Sequence, residues 1–207
     1  NLIPYKVTVY DEENGQAIEG VNVDLFLMPD NEMVSTNLTN EFGEAIFMVD
    51  PNKEYRAQIN KGGYFNRNEN ELNTQQDAVL GLYQNELNKS IRINNIYYNL
   101  DKWDILPASA IELDKIVKIL KDNTNVNIEL SSHTDSRGSD LYNENLSAKR
   151  AQSAAAYIVS NGINSFRIKA VGYGERYISN RCFNDIICSD NEHLQNRRTE
   201  FKVTGYG

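Results

Sequence analysis

No run of about 18 apolar residues occurs in the chain, so the sequence offers no helix long enough to cross a bilayer. Its longest apolar stretches, such as Ala154–Val159, are core-sized. Histidine and cysteine are scarce, two of each. Two imidazoles and scattered acids do not make a zinc hydrolase, because a zinc site needs about four ligands. A phosphate loop and a dinucleotide fingerprint are both missing. Positive charge is also short: the net charge is −8, and a sequence-independent nucleic-acid binder needs a basic face. The chain opens at Asn1 with neither a methionine nor a signal-peptide pattern, which we read as a processed or trimmed piece of a longer protein.

What is present suits soluble globular domains. The length of 207 residues is long for one domain and about right for two small ones, and 40% hydrophobic content is ordinary. The two cysteines, Cys182 and Cys188, sit in Arg-Cys-Phe-Asn-Asp-Ile-Ile-Cys. A small loop-closing disulfide is feasible at that spacing and would favour an oxidising compartment. Free core thiols, or half of a metal site with His193 nearby, are the alternatives.

The two halves read differently. In residues 5 to about 92, Val7 and Val9 alternate before the turn Asp11-Glu-Glu-Asn-Gly15. Val21, Val23, Leu25 and Leu27 follow with period two, then Ala45 and Phe47, then Tyr55, Ala57 and Ile59. Short strands with Gly and Asn turns predict a small antiparallel β-sandwich over 1–90. Residues 65–90 are polar and read as a loop or linker leading to a last strand. From Ser90 the pattern becomes alternating strand and helix. Ile91, Ile93 and Ile96-Tyr-Tyr98 predict a strand, and Pro107 suits a helix start. Leu113, Ile116, Val117 and Leu120 fall on one helical face. Val126, Ile128 and Leu130 alternate again. Leu146 to Val159 reads as a helix ended by Asn161-Gly162. Ile168, Ala170 and Gly172 lead into a third strand, and Phe201 and Val203 into a fourth. The class is α+β, with a βαβαβ(α)β sandwich over 91–207 whose helices pack on one sheet face.

Three short runs in the first half carry a resemblance: Gln16-Ala-Ile-Glu-Gly20-Val-Asn-Val, Thr39-Asn-Glu-Phe-Gly43-Glu-Ala-Ile-Phe47 and Tyr55-Arg-Ala with Gly63-Tyr64. They resemble the carboxypeptidase-regulatory-like domain, an immunoglobulin-like sandwich that serves as a spacer or accessory module. The second half carries a longer pattern. His133-Thr-Asp135-Ser-Arg-Gly138 is followed by Tyr142-Asn143-Glu-Asn-Leu146-Ser147-Ala-Lys-Arg150, then by Gly172-Tyr-Gly-Glu175 and Asn196-Arg-Arg-Thr-Glu-Phe201. This resembles the OmpA C-terminal domain, shared with peptidoglycan-associated lipoproteins and flagellar motor stators, over roughly residues 91 to 204. Asn99 and Leu100 depart from it, standing where many members carry an acid and an aromatic.

By that resemblance the ligand is the diaminopimelate residue of the peptidoglycan stem peptide. Asp135 would take its ammonium and Arg150 its carboxylate. Thr134, Asn143 and Leu146 would line the pocket or shape its loop, and Asp101 and Tyr98 would approach from the first strand. The residues agree chemically: an acid and a guanidinium held apart can grip a zwitterion, and a guanidinium matches a carboxylate bidentately. Ser147 is placed where it could cap the helix, whose N-terminus would add positive potential near Arg150. Plainer roles exist for each. Asp135 and Arg150 could pair with each other, Asn143 could fix its loop, and Leu146 could be core. Arg197 and Arg198 could be solvated or ion-paired.

An enzyme is not indicated. Ser132, Ser136 and the histidines lack an orienting third group and an oxyanion site, and His133 and its neighbours in a strand point to opposite faces. The resemblance implies a non-catalytic protein without cofactor, in the periplasm and associated with the outer membrane of a Gram-negative bacterium. It would anchor that membrane, or an envelope complex, to the wall. The alternative is a wall-anchoring structural subunit of a larger envelope machine, a secretion or gliding apparatus, whose main role is partner docking.

Overall fold

The computed structural model describes residues 1–207 except Asn94, Asn95, Tyr97, Leu100 and Asp101. Two compact units divide the chain, Asn1–Glu86 and Leu87–Gly207.

The first unit contains seven strands: β1 Ile3–Asp11, β2 Asn22–Leu27, β3 Glu32–Leu38, β4 Glu44–Val49, β5 Tyr55–Asn60, β6 Arg67–Glu69 and β7 Ala78–Leu82. They form two sheets, ordered β4-β1-β7 and β3-β2-β5-β6. The alternating apolar residues face one another. Tyr5, Val7 and Val9 of β1 share a core with Val23 and Leu25 of β2, Phe47 of β4 and Ile59 of β5. This is the predicted sandwich, with one strand of different sense. β7 runs parallel to β1, while the other pairings are antiparallel. Residues 61–77 are long enough to carry the chain across for a parallel pairing. The stretch read as linker thus supplies β6 and β7. β3 gave no strand signal because each of its residues is exposed, so nothing forces alternation.

The second unit runs β8 Ser90–Ile93, α1 Pro107–Asp122, β9 Val126–His133, α2 Asp140–Ser160, β10 Ile168–Gly174, α3 Asp190–Asn196 and β11 Arg198–Tyr206. Its sheet is ordered β10-β9-β11-β8, with β9 and β10 parallel and β11 antiparallel to both β9 and β8. α1 begins with Pro107 in its first turn and buries Leu113, Ile116, Val117 and Leu120, the predicted face. Ile128 and Leu130 of β9 pair in register with Val203 and Phe201 of β11 and are buried with them.

Two expectations are corrected here. β8 ends at Ile93, so Ile96 and Tyr98 lie beyond the strand rather than in it. α2 starts at Asp140, six residues before the predicted start, capped by Ser139, whose Oγ accepts the Tyr142 N–H at 3.3 Å. Its first turns bury the polar Asn143 and expose Leu141, which hides the helical period. Ser147 is therefore not a cap. It lies mid-helix, fully buried, donating to the Glu144 carbonyl at 2.9 Å and accepting the Gly174 N–H at 2.8 Å.

Candidate functional site: a cationic cleft at the end of β9

The site is built where β9 stops. Thr134 continues the ladder for one residue, its N–H donating to the Gly174 carbonyl at 2.9 Å. Asp135 then turns the chain: its Oδ1 accepts the Arg137 N–H at 2.9 Å. Gly138 adopts φ +103°, a conformation that side chains disfavour, and hands the chain to Ser139 and α2. Asn143, 2% exposed, ties this loop from the first turn of α2. Its Nδ2 lies 3.2 Å from the carbonyls of both Asp135 and Arg137 and 2.5 Å from Glu175 Oε2. The loop-fixing role is thus real, and it falls on a residue that also lines the cleft.

α2 lies against β10 at close range. A Cβ added at Gly172 would sit 2.1 Å from the Ala148 nitrogen, so only glycine lets the helix approach there. That approach fixes where Arg150, ten residues into α2, emerges. At about 1.5 Å rise per residue it is about 15 Å from the helix start. The N-terminal field expected to assist it acts within the first turn and does not reach it.

Tyr98, Thr134, Asp135, Arg137, Gly138, Tyr142, Asn143, Leu146, Arg150 and Arg197 line one cleft of about 500 Å³. Six of the seven predicted ligand residues come together there. The seventh, Asp101, lies outside the described residues. Arg150 sits with its guanidinium carbon 4.8 Å from the centre of the Tyr98 ring, and its Nε donates to the Lys102 carbonyl at 3.1 Å. The Tyr98 hydroxyl donates to the Arg150 carbonyl at 3.2 Å, and burial pushes it up to about 12 despite the pull of Arg150. A smaller recess of about 140 Å³, reaching Ser132, His133 and Thr199, shares Tyr98, Arg150 and Arg197 with the cleft.

Asp135 has more partners than the sequence indicated. Arg137 reaches it through Nη2, 2.9 Å from Oδ2, and Nε, 3.2 Å from Oδ1, while Arg197 Nη1 lies 2.7 Å from Oδ2. Burial by itself would raise this carboxyl, but the hydrogen bonds from both arginines outweigh it and hold it at about 2. Arg197 follows α3 directly. α3 has a capping box, Ser189 with Glu192, and ends at the fully buried Asn196. Asn196 Oδ1 accepts the Ser179 N–H at 2.7 Å and its Nδ2 donates to Asn180 Oδ1 at 2.9 Å, which locks the position of the next residue. The Asn-Arg-Arg motif thereby has a division of labour: Asn196 anchors, Arg197 enters the cleft, and Arg198 binds Glu200 at 2.6 Å. Arg137 carried no separate sequence signal, because its role depends on a turn that returns its side chain to Asp135.

Cys182 and Cys188 form a disulfide. The loop it closes touches the site, since the Ser136 hydroxyl donates to the Cys182 carbonyl at 2.7 Å. The thiol and metal alternatives are thereby removed for this pair.

Among the described residues the cleft lining carries three guanidinium groups and one carboxylate. Its local sign is opposite to that of the chain. Histidine, cysteine and serine are not among the described lining residues. His133 is 5% exposed, and its Nε2 lies 3.3 Å from Ser131 Oγ and 3.8 Å from Glu200 Oε2. Ser131, two residues back, does share its face, unlike its immediate neighbours. Both partners meet the same ring nitrogen, however, so no serine–histidine–acid relay is formed. The arrangement is suited to holding charged groups in a fixed orientation.

Residues 97–183 match the OmpA family. A peptidoglycan-associated lipoprotein from Buchnera aphidicola is 33% identical over 92 residues, 44% of this chain and 53% of that protein. An outer membrane protein A from Citrobacter freundii is 33% identical over 124 residues, 54% of this chain and 50% of that one. Among solved structures, the peptidoglycan-associated lipoprotein from Burkholderia pseudomallei aligns at 22% identity and a TM-score of 0.46, covering 52% of this chain and 87% of its own. The chain spans about half the length, or less, of the curated relatives it matches. The second unit thus carries an OmpA-like domain, and the OmpA family is non-catalytic.

Proposed function

We propose that the OmpA-like unit binds peptidoglycan without chemistry, through the diaminopimelate residue of the stem peptide, and so anchors an outer-membrane or envelope assembly to the wall. The observation that carries this reading is the single cleft that gathers Asp135, Arg150, Thr134, Asn143, Leu146 and Tyr98. The free end of diaminopimelate has an ammonium beside a carboxylate, and the cleft offers Asp135 to the first and a guanidinium to the second. The name of the matched lipoprotein, peptidoglycan-associated, agrees with a ligand in the wall. In this reading the protein sits in the periplasm, and the disulfide suits that oxidising space.

Sedimentation with purified diaminopimelate-type peptidoglycan tests the site. Removing one partner of a desolvated charged contact costs about 2–5 kcal/mol, roughly 30-fold or more in affinity. Asp135→Asn and Arg150→Ala should therefore remain in the supernatant while circular dichroism shows an intact fold. Pelleting of both variants like the parent would remove the site assignment. The first unit, which resembles a carboxypeptidase-regulatory-like module, serves in this proposal as a spacer or docking surface. Co-purification from solubilised envelopes separates a simple tether from a subunit of a secretion or gliding machine. A stable stoichiometric complex would favour the latter.

A further inference from the structure

Asp135 is already occupied. A seat meant for an ammonium group holds two guanidinium groups instead, and a ligand cation has to displace one of them. The two are not equivalent. Arg197 extends from the C-terminal end of α3, behind the buried Asn196, and its side chain is 34% exposed. Arg137 is on the connecting loop and its side chain is 52% exposed. It also has a second acid within reach, since its Nη1 lies 2.9 Å from Oδ1 of Asp190, whose side chain is 89% exposed. Arg137 can leave Asp135 and keep a carboxylate partner. Of the two cations on Asp135 it is the more exposed and, among the described residues, the one with a second acid in contact.

We propose that Arg137 is a specificity-determining residue of the cleft: it occupies the ammonium seat on Asp135 and gives it up only to a ligand whose ammonium arrives beside a carboxylate. The proposal rests on the peptidoglycan reading above. Exchanging a guanidinium for an ammonium on Asp135 replaces one charge pair by another, so an amine alone gains little. A carboxylate next to the ammonium makes new pairs, with Arg150 across the cleft and with the released Arg137. Discrimination then comes from a built-in competitor as well as from attraction. Occupancy by Arg137 lowers apparent affinity in proportion to the fraction of time the seat is filled. The chemistry selected is the zwitterionic end of diaminopimelate over the ammonium-only end of lysine.

Two synthetic tripeptides test this by calorimetry: L-alanyl-γ-D-glutamyl-meso-diaminopimelate and its L-lysine counterpart. The parent should prefer the first. R137Q should bind the lysine peptide about three- to tenfold tighter, with a smaller gain for the diaminopimelate peptide, so the ratio narrows. D190N should weaken binding of the diaminopimelate peptide in the parent and have no effect in the R137Q background. Weaker binding of both peptides by R137Q, or an unchanged ratio, overturns the proposal. A ligand-free measurement separates the failures. The Asp135 carboxyl, followed by NMR, should titrate higher in R137Q than in the parent. An unchanged titration overturns the competition alone. A parent that binds neither peptide overturns the peptidoglycan reading and this proposal with it.

Discussion

Asp135 and Arg150 are named by their motif, but their electrostatic state depends on neighbours remote in sequence. Arg197 lies 62 residues after Asp135, and Arg137 meets it only because the loop turns back. Asp135 is held at about 2, so the stability it adds is complete above its unfolded value near 4 and is lost as pH falls toward about 2. His133 behaves in the opposite chemical sense. Burial first and Arg198 second push it down to about 4, while Glu200 pulls it up. The unfolded chain then binds more protons than the folded one between about pH 6.5 and about pH 4, so stability falls as pH drops through that window. Urea midpoints for His133→Gln should lose most of this slope. A variant as steep as the parent would show that His133 is not the group responsible.

At the scale of elements, the face of α1 was legible because burial on one side imposes a period, and β9 because its apolar Val126, Ile128 and Leu130 share one face although the other face is buried too. The start of α2 was not. Its buried stripe, Asn143, Ser147, Ala151, Ala154 and Ile158, begins with polar side chains whose partners are in β10 and the site loop. The close approach of α2 to Gly172 gives a sharp prediction. Gly172→Val should destabilise the fold by about 1–3 kcal/mol or more, because the clash is with backbone that cannot rotate away. Chemical denaturation measures it, and a neutral result would show that α2 is not seated there. The disulfide belongs to this scale too. A loop this short is worth about 2 kcal/mol in the chain-entropy description. Cys182→Ser with Cys188→Ser should lower stability by about that amount, and binding should weaken moderately through the lost support at Ser136.

Across the whole molecule, the two units each carry a hydrophobic core, and the described cleft residues belong to Leu87–Gly207. Residues 87–207 expressed alone should therefore sediment with peptidoglycan as the full chain does; a loss on removing 1–86 would give the first unit a part in binding. A chain of net charge −8 presents a cleft whose described lining is cationic, which no bulk property reveals. The sequence by itself determined the class of both units, the cysteine pair as bridge candidates and the acid and base of the proposed site. These depend on local periodicity, on turn chemistry and on a spaced motif, all of which act along the chain. The tertiary structure alone decided that β7 pairs parallel to β1, that Ser147 is buried support, and that Asp135 is shared by Arg137 and Arg197. Those outcomes depend on which groups meet after the chain has crossed the sheet, and contact between distant residues has no period to read.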